Sequence, residues 1–500
     1  MSKIGRAIAK NTSILMVAQL AMWCISLIWL VVLARLVGPE GAGKLQLANS
    51  LWLIVGVFMA FGSDTVLMKE IARNPNKTNE LFGSALALRM GLYIVGYLGV
   101  IGAIHFFEYQ EDTVTIIYLV GLASLGWLFS GTSQAVLQGL EKMETFSLAS
   151  IVGNILFTGG STILLFFGWG LYAVATMIII AAFVNFAIQI YFLQRIHHLR
   201  LSATTTSIFR LMKKGAPYLL SSLSLIAYAQ VDVLVISLLL NEHAIGWYSI
   251  ANRLTGTFLF IPVVYISATF PMFSRMALSD TENLRKLISK SFDSLLLIGV
   301  PIGCGLVILA EPIVLLIFGQ EFTGSTPILR ILGIMLIITY QNTLIGRFLI
   351  AIDRQNIWTV VTAVAMAATL PLDLFIIPWC EAQWGNGAIG GAITFLITES
   401  CMLTAGLYLL PVGTLTLKNL WSAVRVLFAG IIMILAVSVF QNMFILIPIL
   451  VGVGTYGALI LLFRVIPKED WRLFRTFVQQ AHSRLRGQGI EVVPDEQVAI

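Results

Sequence analysis

The chain has 500 residues, of which 58% are hydrophobic and only 11% are charged, with a formal net charge of +6. An average soluble domain carries about 25% charged residues, so this composition excludes an ordinary soluble protein. The four cysteines and five histidines are scattered without paired spacing, which indicates neither a disulfide framework nor a metal site.

Apolar runs recur along the whole chain, separated by short polar or Gly/Pro-containing connections. About 20 helical residues cross the hydrocarbon core of a bilayer, and backbone groups in lipid must be satisfied within their own segment. The pattern therefore predicts an all-α polytopic membrane protein with about fourteen transmembrane helices. The predicted spans are residues 14–37, 45–68, 83–106, 114–138, 146–167, 171–194, 216–240, 247–273, 291–318, 327–351, 356–378, 386–410, 420–440 and 444–464.

The connection between spans 1 and 2 has the sequence GPEGAGKL, from Gly38 to Leu45. It is one residue short of the phosphate-binding pattern G-x-x-x-x-G-K-[ST], because Leu45 stands where the Mg²⁺-binding hydroxyl is needed. A phosphate-binding loop of this kind follows a β-strand, and no strand is predicted before this segment. The glycines instead predict a tight turn between two helices, and no nucleotide is expected to bind.

Basic residues concentrate in alternate connections. Those that follow even-numbered spans carry many, among them Lys69, Arg73, Lys77, Lys213 and Lys214. The opposite connections carry Lys44 and several acids, namely Glu108, Glu111, Asp112, Glu242, Glu321 and Glu381. The positive-inside rule then places both termini in the cytoplasm. The positive charge is explained by this topology, and no nucleic-acid partner is predicted.

An internal repeat relates the two halves of the chain. GKLQLANSL at residues 43–51 matches GWYSIANRL at residues 246–254, and three weaker matches follow in the same order, six spans apart. Because six is even, both copies have the same orientation in the membrane and form a parallel repeat. The repeat predicts two six-helix lobes, residues 1–200 and 201–415, that enclose a cavity and alternate its access. Spans 13 and 14 (416–464) are an appended pair, and residues 465–500 are a cytoplasmic amphipathic tail.

Three stretches carry a resemblance to a known family. LARLVGPEGAGKLQLANSL with GSDTVLMKEIAR, LQGLEKM, and PYLLSSLSLIAYAQVDVLVISLLLNEHAIGWYSIANRL resemble the polysaccharide-export flippases. These belong to the superfamily that also contains multidrug and toxin extrusion transporters and lipid II flippases. The resemblance implies movement of undecaprenyl-diphosphate-linked oligosaccharide from the cytoplasmic to the periplasmic leaflet of a bacterial inner membrane. It implies membrane lipids and that substrate as partners, together with polysaccharide polymerase or glycosyltransferase machinery.

Charged residues inside spans are expensive and therefore indicate function. Asp232 and Arg253 lie about equally far before and after the hairpin tip near His243, so an ion pair between spans 7 and 8 is expected. Its functional version has Arg253 meeting the substrate's diphosphate, with Asp232 as the counter-charge of the empty site. Its structural version is a salt bridge that fastens two helices.

Three carboxylic acids are candidates for coupling transport to H⁺ or Na⁺, and no other cofactor is predicted. Glu399 lies near the middle of span 12, Asp373 follows Pro371 in span 11, and Asp64 lies about one turn from the end of span 2. Their structural alternatives are a hydrogen-bonded neutral acid, a helix-break residue and a solvated cap, respectively.

Four further residues are candidates for the cavity. Arg89 and Arg35 lie near span ends, so they are either cavity residues or side chains that reach the lipid headgroups. Asn49 and Asn252 occupy equivalent repeat positions and are either sugar ligands or hydrogen bonds between helices.

Three other functions remain open. A membrane glycan polymerase or ligase needs a sizeable periplasmic loop, whereas every predicted periplasmic connection is short. A multidrug exporter of the same architecture handles cations, and Arg253 favours an anion over a cation. A lipid II flippase differs only in its substrate.

Overall fold

The computed structural model describes residues 3–107, 109–197, 199, 201–441 and 443–465. Its helices are α1 Lys3–Ala60, α2 Ser63–Arg73, α3 Thr78–Phe107, α4 Glu111–Gly139, α5 Met143–Phe166, α6 Gly170–His197, α7 Thr205–Leu239, α8 Glu242–Thr257, α9 Phe260–Ser279, α10 Thr281–Ile308, α11 Ala310–Ile317, α12 Ser325–Ala351, α13 Gln355–Trp384, α14 Ala388–Leu409, α15 Leu417–Ser438 and α16 Leu446–Leu462. Short 3₁₀ turns occupy Pro75–Lys77 and Gln320–Phe322. The described ranges contain no strand, so the predicted all-α class is confirmed.

In the described part of the chain, 12 helical segments are long and apolar enough to cross a membrane. One of them, Ala21–Ala60, runs through parts of two predicted spans, and the apolar helix Leu446–Leu462 falls just short of the usual spanning length. The protein is therefore a multi-pass membrane protein, and the count of fourteen spans stays a prediction.

The predicted turn between spans 1 and 2 is a single break in α1. Only Gly38 leaves the helical conformation, with φ 73° and ψ 180°, and the helix resumes at once with Pro39 inside it. Glycine adopts a positive φ at little cost. Proline suits the first turn of a helix because the N–H that it lacks would have no hydrogen-bond partner within the helix at that position. Span 2 therefore begins about a turn and a half earlier than predicted.

Three predicted spans are interrupted, and span 9 is one of them, divided between α10 and α11 at Leu309. Span 2 is interrupted at Phe61 and Gly62, whose φ values are 48° and 62°. Span 8 is divided between α8 and α9 at Phe258 and Leu259, four residues before Pro262. Because Pro262 has no N–H to donate to the Phe258 carbonyl, that carbonyl accepts hydrogen bonds from the Tyr340 hydroxyl at 2.7 Å and from the Ile261 N–H at 3.3 Å.

The helices pack as two groups that meet along α1, α7 and α8. In the N-lobe, α1 packs on α4 and α5, which both pack on α6. In the C-lobe, the most enclosed span α12 packs on α10 and α14, and α13 packs on α7 and α14. The appended α15 rests on α10 and α16. The domain boundaries stay a prediction, and residues 466–500 of the predicted tail lie outside the described residues.

Candidate substrate cavity

The two ends of the bundle differ in charge, and we name them by it. The acidic end carries Glu40, Glu242 and Glu321, and the basic end carries Lys69 and Lys214. Between them, the lobes meet where the two copies of the repeat face each other.

At the acidic end, the repeat copies touch through equivalent glycines. A Cβ atom on Gly43 would lie 1.9 Å from the backbone oxygen of Glu242, and one on Gly246 would lie 2.0 Å from the backbone oxygen of Pro39. Gly43 and Gly246 are equivalent in the repeat, and so are Pro39 and Glu242, each four residues earlier. The contact is therefore symmetric, as expected for two copies related by a two-fold axis.

Arg35 fastens the same end of the interface. Its guanidinium donates hydrogen bonds to the backbone oxygens of Leu316 and Ile317, at the end of α11. Cations are favourable at a helix C-terminus, where carbonyl groups lack helical partners. Arg35 is therefore a link between the lobes, and it does not line the cavities described below.

The basic end is closed by polar contacts between α2 and α7. Lys69 Nζ donates to the Tyr218 hydroxyl at 2.6 Å, and Lys214 forms an ion pair with Glu70. The hydrogen bond from Lys214 lowers the pKa of the Glu70 carboxyl below its ordinary value. The lobes therefore touch at both ends in this structure.

Between these ends lie two adjoining chambers. The lobe chamber, about 600 Å³, is lined by α1, α4, α5 and α6 of the N-lobe together with α8. The interface chamber, about 610 Å³, lies between α1, α7, α8, α12 and α14. Both volumes fall within the range of cavities that hold small molecules. Asn49, Trp127, Arg253 and Gly256 line both chambers.

Arg253 stands at the junction of the chambers, half-buried. Its Nε and Nη2 atoms donate to Gln46 Oε1 at 3.1 and 2.8 Å. Gln46 in turn donates to Ser50, and Ser50 donates to Gln230 on α7. Both arginine contacts fall on one neutral amide oxygen, and among the described lining residues of the two chambers Arg253 is the one charged side chain.

The expected ion pair between Asp232 and Arg253 is wrong. Asp232 accepts a hydrogen bond from the Tyr248 hydroxyl and packs toward Gly391 of α14, whereas Arg253 faces α1. Tyr248 and Arg253 are five residues apart on α8, so they lie about 140° apart around the helix. Asp232 and Arg253 lie at a similar depth, but their side chains point to different neighbouring helices.

Asp232 instead lies beside Asp373. Their carboxyl groups are close enough to interact electrostatically, and the side chains are 4% and 0% exposed. Asp232 Oδ1 and both Asp373 carboxyl oxygens have no donor among the described residues. The Thr394 hydroxyl is adjacent to Asp373 and also has no partner there.

Arg89 and Asp64 are placed together inside the N-lobe, away from the chambers. Arg89 is 1% exposed and forms an ion pair with Asp64. It also donates to Ser63 Oγ, Thr132 Oγ1 and the Leu128 backbone oxygen. Neither expectation for Arg89 holds, because it neither reaches the headgroups nor lines a chamber. Asp64 lies half-exposed in the first turn of α2, and it is the ion-pair partner of Arg89.

The remaining candidates lie at or near the chambers. Asn49 lines both, and Asn252 lines the interface chamber. Glu399 is buried behind the wall of the interface chamber and accepts hydrogen bonds from Tyr228, Thr339 and Asn342 at 3.1, 2.9 and 2.9 Å. Thr339 also lines that chamber and so connects it with Glu399.

The sequence reasoning missed the polar lining of the lobe chamber, which includes Asn154, Thr158 and Asn185. Asn154 and Thr158 are four residues apart within one apolar span. That spacing puts two polar side chains on one helix face and could have identified them. Across the described residues, no group of three or more His, Cys, Asp or Glu side chains could hold a metal ion.

Comparison with known proteins decides the family. Residues 8–277, more than half of the chain, match the family described as "Polysaccharide biosynthesis protein". The chain belongs to this polysaccharide biosynthesis family. The predicted relationship to the polysaccharide-export flippases is thereby confirmed.

Two curated relatives of this chain are named as a flippase and a transporter. This chain is 24% identical over 356 residues to the "Probable low-salt glycan biosynthesis flippase Agl15" of Haloferax volcanii, covering 69% of this chain and 72% of the relative. It is 21% identical over 407 residues to the "Putative O-antigen transporter" of Shigella dysenteriae, covering 78% of this chain and 96% of the relative. The predicted class, a transporter and not an enzyme, is confirmed.

A solved structure shares the fold. The "Lipid II flippase MurJ, inward closed conformation" superposes with a TM-score of 0.74 at 17% identity, covering 90% of this chain and 98% of that one. At this identity the likeness shows the fold alone. It confirms the predicted polytopic all-α membrane fold.

Proposed function

We propose that the protein is a flippase that carries a diphosphate-linked lipid oligosaccharide across a bacterial cytoplasmic membrane, from the cytoplasmic to the periplasmic leaflet. One observation carries this proposal. Arg253 is the single charged side chain among the described lining residues of both chambers, and one neutral amide oxygen holds it.

The chemistry of Arg253 suits a diphosphate. A guanidinium presents a planar fork of N–H donors that matches phosphate oxygens and always carries its charge. Hydrogen bonds between charged groups are stronger than those to a neutral amide. A diphosphate oxygen would therefore displace Gln46 from Arg253 and loosen the link from Gln46 through Ser50 to Gln230 on the C-lobe.

The contacts at the two ends of the bundle support alternating access. The basic end faces the cytoplasm by the positive-inside rule, so the contacts between α2 and α7 form the cytoplasmic gate. The contacts of Gly43, Gly246 and Arg35 form the periplasmic gate. The substrate enters through the first and leaves through the second, which gives the direction needed for polysaccharide export.

We further propose that Asp232 and Asp373 couple transport to H⁺ or Na⁺. Two buried carboxyl groups side by side repel each other unless a proton or a cation lies between them. Three of their four oxygens lack a donor among the described residues, and such an ion would supply the missing partner. Asp64 is a weaker candidate because Arg89 already neutralises it. Glu399, which three donors surround, stays an alternative coupling residue.

Genetic complementation tests the central proposal. Deletion of the gene should leave lipid-linked oligosaccharide in the cytoplasmic leaflet, and the wild-type gene should restore surface polysaccharide. Arg253→Gln should restore less than a tenth of it, since hydrogen bonds to a charged group contribute about 1.5–3 kcal/mol each. Arg330→Gln is the matched control, because Arg330 forms only an exposed ion pair with Glu311.

Two outcomes would contradict the proposal. Full rescue by Arg253→Gln would remove Arg253 from the site. Sensitivity to cationic drugs without loss of polysaccharide would favour a multidrug exporter.

For the coupling pair, Asp373→Asn should abolish stimulation by an imposed ion gradient while substrate exchange without a gradient continues. Unchanged stimulation in that variant would shift the coupling role to Glu399.

A further inference from the structure

The lobe chamber lies to one side of Arg253 and belongs almost entirely to the N-lobe. Arg253, Gly256 and Thr257 of α8 form its boundary with the interface chamber, and α1, α4, α5 and α6 form the rest. If the diphosphate is held at Arg253, the group attached to it can extend into this side chamber.

The chamber's polar lining is neutral. Apart from Arg253 at its mouth, its described polar side chains are amides, hydroxyls and indoles, with Asn49, Asn154 and Asn185 as the amides. An amide both donates and accepts hydrogen bonds, as a sugar hydroxyl does. A carboxylate in the depth of this chamber would find no cation among the described lining residues, and burying it unpaired is costly.

One hydroxyl in this wall lacks a partner. Thr158 on α5 is 8% exposed, lines the chamber, and its Oγ1 has no hydrogen-bond partner in the described structure. Buried polar groups are nearly always hydrogen-bonded, so an orphan hydroxyl at a cavity wall calls for an explanation. The Oγ1 atom is turned away from the open space in this structure, and rotation about the Thr158 Cα–Cβ bond would bring it to the chamber, where a ligand hydroxyl or amide would supply the missing partner.

Aromatic rings and a glycine shape the remaining wall. Trp29 packs edge-on against Phe157 with ring centroids 4.7 Å apart, and Trp23 and Trp127 also line the chamber. Flat indole faces suit the apolar C–H faces of a sugar ring, while their N–H groups can still donate. Gly153 lets Asn185 of α6 pack closely against α5, because a Cβ there would lie 3.2 Å from Asn185 Nδ2.

We propose that the lobe chamber is a binding site for the uncharged sugar that is attached to the diphosphate of the lipid-linked substrate, with Thr158 and Asn154 as hydrogen-bonding ligands. This inference rests on the proposed function, because it places the diphosphate at Arg253. It goes further by assigning a separate site and a class of sugar. The chamber selects neutral sugars over uronic acids.

The test measures binding of three synthetic lipids to the purified full-length protein. They are polyprenyl diphosphate alone, the same lipid carrying one glucose, and the same lipid carrying one glucuronic acid. The wild-type protein should bind the glucosyl lipid at least tenfold more tightly than the glucuronosyl lipid. Thr158→Val keeps the side-chain shape and removes one hydrogen bond, so it should weaken glucosyl-lipid binding about three- to tenfold. Binding of the lipid without sugar should stay within twofold.

Thr162→Val is the matched control. Thr162 lies one turn further along α5, its hydroxyl also has no partner in the described structure, and it does not line the chamber. It should leave all three affinities unchanged. Because neither hydroxyl has a protein partner, both variants should retain the wild-type melting temperature. Asn154→Leu should weaken binding of the glucosyl lipid at least tenfold and should change binding of the bare diphosphate lipid little.

The outcomes separate this inference from the proposed function. If Arg253→Gln weakens all three lipids but Thr158→Val behaves like Thr162→Val, the sugar chamber is overturned and the flippase proposal stands. Equal or tighter binding of the glucuronosyl lipid by the wild-type protein also overturns the chamber's preference. If none of the lipids binds, or if Arg253→Gln changes nothing, the proposed function fails as well.

Discussion

Arg89 and Arg253 are both arginines within membrane-spanning helices, and their surroundings differ. Arg89 is enclosed by an aspartate, two hydroxyls and a carbonyl, so every side of its guanidinium has a partner. Arg253 contacts one amide at the edge of open space. At the scale of a residue, the first arrangement holds a lobe together, and the second is ready for a ligand.

Replacement of Arg89 should therefore lower stability rather than substrate affinity. Arg89→Met removes the ion pair with Asp64 and the hydrogen bonds to Ser63 and Thr132, and each hydrogen bond to a charged group contributes about 1.5–3 kcal/mol. We expect the purified variant to melt several degrees below the wild type in detergent. Arg330→Met, at an exposed ion pair, is the control and should melt within a degree or two. An Arg89→Met variant of wild-type stability that fails to bind substrate would contradict this assignment.

The sequence predicted which residue types stand inside the membrane but not which way they face. Arg253 and Asn49 line both chambers, and their part in binding a substrate stays a prediction. The partners of Asp232 and Arg89 were missed, since depth along a helix says nothing about the rotation that directs a side chain to one neighbour or another.

At the scale of helices, α1 and α8 form the symmetric centre of the molecule. Their equivalent glycines let the backbones touch at the acidic end. The equivalent positions Ser50 and Arg253 differ in type, so this symmetry ends at the cavity. The glycine contact is thus symmetric between the lobes, whereas the neighbouring site has an arginine on one side only.

Adding a methyl group at either glycine should open the acidic end. The Cβ of Gly43→Ala would overlap a backbone oxygen of the other lobe, and backbone cannot move aside as a flexible side chain can. We expect the distance between spin labels on Asp112→Cys and Glu311→Cys to lengthen, and transport to slow at least tenfold. Gly246→Ala should behave alike because the contact is symmetric.

Gly56→Ala serves as the control for this experiment. Gly56 is on the same helix, and no atom lies within 4 Å of a Cβ built there. Its label distances and transport rate should match those of the wild type. Unchanged distances in Gly43→Ala would show that this contact does not set the closure of the acidic end.

The apolar runs predicted a polytopic helical protein, but they did not predict where the helices are interrupted. A run of apolar residues looks the same whether the helix continues or breaks, so the break at Phe61 and Gly62 gave no clear signal. Pro262 did mark the division between α8 and α9, but the Tyr340 hydroxyl that satisfies the freed carbonyl comes from a distant span. Such long-range compensation is not visible in local sequence.

At the scale of the whole molecule, the two gates differ in chemistry. The acidic end closes by close backbone packing, and the basic end closes by polar contacts such as the pair of Lys214 and Glu70. Packing contacts are insensitive to salt and pH, whereas a partly exposed ion pair weakens in salt. The basic gate should therefore respond to salt and pH more strongly than the acidic gate, where hydrogen bonds of Arg35 and Glu242 to the other lobe add to the backbone packing.

The pH dependence of the basic gate follows from Glu70. Its pKa is lowered by the hydrogen bond from Lys214, so the ion pair is fully formed above the ordinary carboxyl range and is lost as pH falls through the lowered pKa. The distance between labels on Ala72→Cys and Phe209→Cys should stay constant from pH 8 to about 5 and lengthen only below the usual glutamate pKa of about 4.3. Glu70→Gln should remove this acid response. A lengthening near neutral pH in the wild type would assign the gate to another group.

The central claim is that this transporter moves a diphosphate-linked glycolipid and that Arg253 holds its diphosphate. The most direct measurement reconstitutes the purified protein in liposomes that contain the glycolipid and follows how fast the inner-leaflet sugar becomes accessible to an external glycosidase. Wild-type protein should speed this exposure well above that in protein-free liposomes, and Arg253→Gln should return it to near that level. Exposure no faster than in protein-free liposomes, or equal rates for the wild type and Arg253→Gln, would contradict the account.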